Sequence, residues 1–196
     1  MTRMLRAGVS LFLAVLFVTS SITCLAAVPK TSAASFVLME AESGRVIASG
    51  NELQERSIAS TTKIMTCLVA LEHSALEEQV TVTRAHLREG SSMYLAEGET
   101  LTMEELLYGL MLPSGNDAAE CIADHCGGEG GSRQFVTWMN EKAKMLGMTR
   151  TAFANPSGLD EAGHRSCALD MARLAAYAMQ NPTFARIVST RTASVG

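Results

Sequence analysis

Ser60 and Lys63 stand three residues apart in Ser60-Thr61-Thr62-Lys63. On a helix, positions i and i+3 share a face, so the lysine ammonium comes within hydrogen-bond reach of the serine hydroxyl. A serine hydroxyl is a weak nucleophile until a neighbour takes its proton. A lysine takes it when burial or a nearby positive charge depresses its pKa. The pair therefore fits nucleophilic catalysis, with Ser60 attacking and Lys63 as the base. The same four residues also read as a helix-capping serine followed by a solvated lysine. Only four lysines exist in the chain, and only Lys63 has a serine three residues earlier.

A second constellation is Ser114-Gly115-Asn116, just after Pro113. A hydroxyl there can relay a proton between a lysine and a leaving group, and an Asn amide can hold a substrate carbonyl. The same tripeptide occurs at Ser49-Gly50-Asn51, where it follows a strand and reads as a plain turn. The copy at Ser114 lies between two helices some fifty residues after Ser60, the more useful position.

Several elements must hold these groups. Residues 36–40 and 45–49 read as strands of a hairpin joined by Ala41-Glu42-Ser43-Gly44. Residues 57–60 lead into a helix with Ile64, Cys67, Leu68 and Leu71 on one face. Residues 80–83 are extended. Thr102 and Glu105 form a capping-box pattern that opens a helix over 103–111, closed by Pro113. A further helix spans 116–126 and stops at Gly127-Gly128. Residues 132–146 are amphipathic, with Phe135, Trp138, Met139 and Leu146 inward and Gly147 as the stop. Residues 155–158 form a turn. Residues 168–179 are apolar on most faces, which predicts a buried helix. Residues 190–196 resemble the start of a strand and turn. Two strands are too few to organise this many helices, so the chain is expected to be a fragment.

The 196 residues suffice for one domain with a real core, and 47% apolar composition fits a globular protein. A net charge of −4 gives no sign of a nucleic-acid partner. The first residues form a separate object: Arg3 and Arg6, an apolar run over 7–18, then small and polar residues up to Ala27. This is the order of a secretory signal peptide over 1–27, with cleavage as late as Ala34 still compatible. The apolar run is short for a membrane span of about 20 residues. Removing the signal leaves 14 basic and 20 acidic residues, a net charge of −6.

Cys24 leaves with that signal, and Cys67, Cys121, Cys126 and Cys167 remain. Cys67 and Cys121 fall inside helical apolar patterns, where a free thiol packs as a small hydrophobe. Cys121, Cys126, His125 and His164 lack zinc-type spacing, so no metal or other cofactor is expected. His73, His86, His125 and His164 read as surface or turn residues, because no Gly-x-Ser-x-Gly elbow calls for a histidine partner.

Longer stretches carry a resemblance. Residues 58–66 (Ile-Ala-Ser-Thr-Thr-Lys-Ile-Met-Thr), 89–95 (Glu-Gly-Ser-Ser-Met-Tyr-Leu), 110–119 (Leu-Met-Leu-Pro-Ser-Gly-Asn-Asp-Ala-Ala), 155–159 (Asn-Pro-Ser-Gly-Leu) and 163–172 (Gly-His-Arg-Ser-Cys-Ala-Leu-Asp-Met-Ala) are similar to the low-molecular-mass penicillin-binding proteins of the serine D-alanyl-D-alanine carboxypeptidase family. The resemblance runs from about residue 36 to the last. It implies an α/β fold of the α+β type, the penicillin-binding/β-lactamase-like transpeptidase fold, with an antiparallel sheet beside a helical region. It implies an enzyme that removes the terminal D-Ala from peptidoglycan stem peptides through an acyl-enzyme. Carried over residue by residue, Ser60 is the nucleophile, Lys63 the general base, Ser114 the proton relay and Asn116 a substrate-binding group. The implied partners are peptidoglycan pentapeptides ending in D-Ala-D-Ala and β-lactam antibiotics. The implied location is extracytoplasmic, in the cell wall or at the outer face of the membrane. A membrane-associating C-terminal segment not present here is left open.

One departure stands out. The family's third motif, Lys-Thr-Gly or Lys-Ser-Gly, is absent; Lys30-Thr31-Ser32 precedes the domain, and Lys142 and Lys144 are followed by Ala and Met. Residues 35–196 are therefore expected to be an incomplete catalytic domain with its C-terminal strands missing, inactive alone. Two alternatives remain open. One is a serine β-lactamase of the same fold, whose second motif is usually Ser-Asp-Asn. The other is a non-catalytic, truncated penicillin-fold binding protein.

Overall fold

The computed structural model describes residues 30–195. The expected signal peptide over 1–27 lies outside them.

Strands β1 (Phe36–Met39) and β2 (Val46–Gly50) form an antiparallel hairpin in which Phe36 faces Gly50 and Met39 faces Val46. Its turn is closed by Glu40, whose carboxylate accepts the backbone N–H groups of Glu42 (3.0 Å) and Ser43 (2.6 Å). A second antiparallel pair, β3 (Gln79–Thr81) with β4 (Thr100–Thr102), was not expected, because β4 is a three-residue strand with no pattern of its own.

A 3₁₀ turn, Ala59–Thr62, runs directly into helix α1 (Lys63–His73). The sequence predicted one apolar face for α1. Instead Met65, Thr66, Cys67, Leu68, Val69 and Ala70 are all buried in succession. The reason is position: α1 is the central helix, packed against α2 (Met103–Met111), α3 (Asn116–Gly127), α4 (Gly131–Met145) and α5 (Ala168–Ala178). A helix surrounded by others buries its whole circumference.

The surrounding helices follow local signals. Thr102 caps α2: its hydroxyl accepts the Glu105 N–H at 3.2 Å, and the Glu105 carboxylate accepts the Thr102 N–H at 2.8 Å. Helix α4 buries Phe135, Met139 and Ala143, a stripe of i, i+4, i+8 spacing, while Trp138 and Leu146 are only partly covered. Helix α5 was expected to be buried on most faces. It buries only the stripe Asp170, Leu174 and Ala178, because one side of it lies at the surface. Helix α6 (Pro182–Ser189) was missed and precedes an irregular segment where a strand was expected. Its signals are present: the Asn181 side chain accepts the N–H groups of Thr183 (2.9 Å) and Phe184 (3.1 Å), and Pro182 occupies the first turn. Phe184 and Ile187 point inward.

Among the described residues no helix is long and apolar enough to cross a membrane.

Candidate active site

Three stretches distant in sequence meet at Lys63. Its Nζ donates to the Ser157 carbonyl oxygen at 2.6 Å, to Asn116 Oδ1 at 2.8 Å and to Ser60 Oγ at 3.4 Å. Lys63 is 2% exposed, although it opens a helix. Burial lowers its pKa from 10.5 to about 8, with the charge of Asp117 pulling the other way.

Ser60 is exposed on the 3₁₀ turn, one residue after Ala59, whose φ of 45° is left-handed and unusual for a residue with a Cβ. The loop of residues 155–158 holds this turn from the side. Gly158 has φ +87°, and a Cβ there would lie 2.0 Å from the Ala59 carbonyl oxygen. Only glycine permits that approach. Thr66, one helical turn beyond Lys63, donates its hydroxyl to the Pro156 carbonyl at 2.6 Å.

Asn116 begins α3 and is fixed on three sides. Its backbone N–H donates to Ser91 O at 2.7 Å, its Nδ2 to Glu89 O at 2.8 Å, and its Oδ1 receives Lys63. An ammonium can only donate, so Oδ1 must face the lysine and the amide cannot flip. Next to it, Asp117 ties the loop of residues 91–95 to α3. Its carboxylate accepts from Ser92 Oγ (2.5 Å) and from the N–H groups of Met93 (3.1 Å), Leu95 (3.1 Å) and Ala118 (2.9 Å). Burial alone would raise the pKa of Asp117, but these four bonds outweigh it and hold the carboxyl below its ordinary value.

The structure thus brings Ser60, Lys63 and Asn116 together. Ser114 lies two residues before Asn116, half-buried at φ 61°, and its hydroxyl makes no hydrogen bond among the described residues.

Sequence reasoning missed four participants: Thr62, Asp117, the Ser157 carbonyl and His164. The sequence places His164 at the surface or in a turn, but it is buried, 6% exposed. Its Nε2 lies 2.7 Å from Thr62 Oγ1, and its Nδ1 accepts the Ala154 N–H at 3.1 Å. His86 is buried too, against Asp124 at 3.1 Å, because its Nδ1 accepts the Thr83 N–H and draws the ring inward. His73 stacks on Trp138 at 3.9 Å between ring centroids, and His125 pairs with Glu78. Among the described residues no cluster of His, Cys, Asp and Glu could hold a metal ion. Cys67, Cys121 and Cys126 carry free thiols that burial pushes up to about 12.

A family model described as D-alanyl-D-alanine carboxypeptidase matches residues 23–195. The chain belongs to that family. D-alanyl-D-alanine carboxypeptidase DacF of Bacillus subtilis is 37% identical over 164 residues, which span 81% of this chain and 42% of the relative. DacD of Escherichia coli is 40% identical over 158 residues, 74% of this chain and 40% of the relative. The chain thus spans about two fifths of the length of these curated relatives. Among solved structures, a D-alanyl-D-alanine carboxypeptidase of Mycobacterium tuberculosis superimposes with a TM-score of 0.80 at 35% identity, covering 85% of this chain and 63% of the other. A Streptomyces DD-transpeptidase gives 0.80 at 34% identity, covering 83% and 66%. The family's members therefore share this mixed helix-and-sheet fold, and the expected fold class holds.

Proposed function

We propose that this chain carries the acylating groups of a serine D-alanyl-D-alanine carboxypeptidase that acts on peptidoglycan stem peptides and is acylated by β-lactams. Ser60 Oγ attacks the carbonyl carbon of the penultimate D-Ala while its proton passes to Lys63 Nζ. The tetrahedral intermediate collapses, and the proton returns through the Ser114 hydroxyl to the departing nitrogen of the terminal D-Ala. Water then attacks the Ser60 ester and frees the shortened peptide. The Ser60 backbone N–H supplies one donor to the developing oxyanion. The second N–H of Asn116 Nδ2, the one not given to Glu89, holds a substrate carbonyl.

One observation carries the reading: the three neighbours of Lys63 Nζ. As an ammonium, the lysine has three protons for three acceptors. As a neutral amine it keeps two protons, which the shorter bonds to Ser157 O and Asn116 Oδ1 claim. The lone pair is then left facing Ser60 at 3.4 Å. With a pKa of about 8, roughly a tenth of the lysine is in that form at pH 7. A 3.4 Å contact is long, but such bonds tighten once substrate is bound.

The family resemblance assigns the grip on the substrate carboxylate, and a second oxyanion donor, to a Lys-Thr-Gly motif that residues 1–196 do not contain. An extracytoplasmic location follows from the peptidoglycan substrate and from the signal-peptide pattern over residues 1–27.

The test is covalent labelling. Penicillin should acylate Ser60, and mass spectrometry of the labelled peptide should find the adduct there. An adduct on Ser114 or on a cysteine would overturn the assignment.

A further inference from the structure

Thr62 sits between the nucleophile and the base, fully buried, and its hydroxyl touches a histidine 102 residues further along the chain. The proton on that histidine can be located. Ala154 presents an N–H to Nδ1, so Nδ1 must be bare and the proton must sit on Nε2, aimed at Thr62 Oγ1. The ring is pinned by its surroundings. Arg165, the next residue, pairs with Ala152 in one isolated bridge, and Ser166 pairs with Arg56 in another. The Phe153 ring meets the imidazole edge-on at 5.9 Å. His164 is therefore held rigidly, and it holds the last residue of the turn that presents Ser60.

We propose that His164 is a positioning residue for acyl transfer: its Nε2–H fixes Thr62, and through Thr62 the spacing of Ser60 and Lys63. This rests on the reading of Ser60 and Lys63 as nucleophile and base. Around Thr62 the neighbouring holds include the backbone carbonyls of Pro156 and Ser157 and the close approach of Gly158, and these do not titrate. His164 does. A second proton would go on Nδ1, N–H against N–H at Ala154, and would push the ring off its seat. Asp160 and Glu161 on its own loop favour that proton, and burial opposes it more strongly. From the catalytic turn the charged neighbour is Lys63, one residue past Thr62. Phe153 and Ala154, packed on the ring's other side, carry no charge. The neutral, Nε2-protonated ring is thus the resting form, and the site loosens only in acid, below the ordinary histidine value of 6.5.

Two variants and two readouts test this. His164→Leu removes both bonds; His164→Gln offers one donor and one acceptor in their place and cannot titrate. Acylation by a fluorescent penicillin is followed from pH 5 to 9, with the limiting rate separated from the binding constant. His164→Leu should lose between about 10- and 100-fold in limiting rate with little change in binding, the scale expected when reacting groups are misplaced by about 1 Å. His164→Gln should retain most of the rate but lack the extra steepness in acid that is expected of the wild type. NMR titration of Lys63 is run in parallel and needs no substrate; His164→Leu should shift it measurably, and His164→Gln should not. Melts of each variant confirm that it is folded. If His164→Leu leaves the acylation rate, its pH profile and the Lys63 titration unchanged, the inference is overturned. If penicillin fails to label Ser60 in the wild type while the Lys63 titration still responds to His164→Leu, the positioning role stands and the assignment of Ser60 falls.

Discussion

Lys63 lies closer to the Ser157 carbonyl, at 2.6 Å, than to Ser60, at 3.4 Å. The residue that follows the serine by three in sequence is held chiefly by a residue 94 positions away. Three consequences follow for Lys63. Replacing it by Ala should lower penicillin acylation by about 10²–10⁴-fold, the range for loss of a general base. Wild-type acylation should rise with pH through about 8 as the lysine becomes neutral. Between about 8 and 10.5 the unfolded chain binds the proton that the folded state has released, so stability should also rise with pH across that window. Lys63→Met should flatten this rise. A Lys63→Ala variant that acylates at a near-normal rate would remove Lys63 as the base.

Asp117 should matter to stability more than to chemistry. It satisfies three backbone N–H groups and one hydroxyl from inside the protein. Asp117→Ala strands those donors and should destabilise by roughly 2–4 kcal/mol in urea unfolding. The pKa of the wild-type carboxyl is lowered on folding, so its contribution is present above the ordinary value of 3.8 and is lost as pH falls through the folded value. A variant whose acid unfolding matches the wild type would refute this role.

Gly158→Ala places a methyl 2.0 Å from the Ala59 carbonyl oxygen, at a backbone angle that already disfavours it. The strain alone is about 1–3 kcal/mol. The turn bearing Ser60 must also move, so acylation should fall together with the melting temperature. Normal acylation by a stable Gly158→Ala protein would show that this contact does not set the geometry.

The thiols should be slow in the native protein. With Cys67, Cys121 and Cys126 pushed up to about 12, a thiolate-specific reagent should barely label them at pH 8. In denaturant without reductant, four thiols should react if residues 1–27 have been removed, and five if Cys24 is retained. Fewer than four would reveal a disulfide.

What could be read in the sequence was local. The β1–β2 hairpin, the Thr102–Glu105 cap and the Ser60–Lys63 spacing each declare themselves within a few residues, and each lies where expected. The depth of α1 was not legible, because burial all round depends on four partner helices rather than on its own periodicity. Nor was the Ser157 carbonyl, since every residue has one and no side chain marks which carbonyl will matter. His164 escaped for a related reason. A lone histidine after a glycine looks like a turn until Ala154 and Thr62 are brought to its two nitrogens. Asn181-Pro182 is different: its capping signal was there to be read, and α6 was missed all the same.

The grip of residues 155–158 on the turn bearing Ser60 also has a temporal side. A chain emerging from the ribosome N-terminus first completes Ser60 and Lys63 some ninety residues before Ser157 arrives. Until those later segments cover it, the ammonium stands in water, ordinary in its basicity. On the proposed reading of Ser60 and Lys63 the pair is thus born dormant and is armed late, by burial under segments that the nascent chain has yet to deliver.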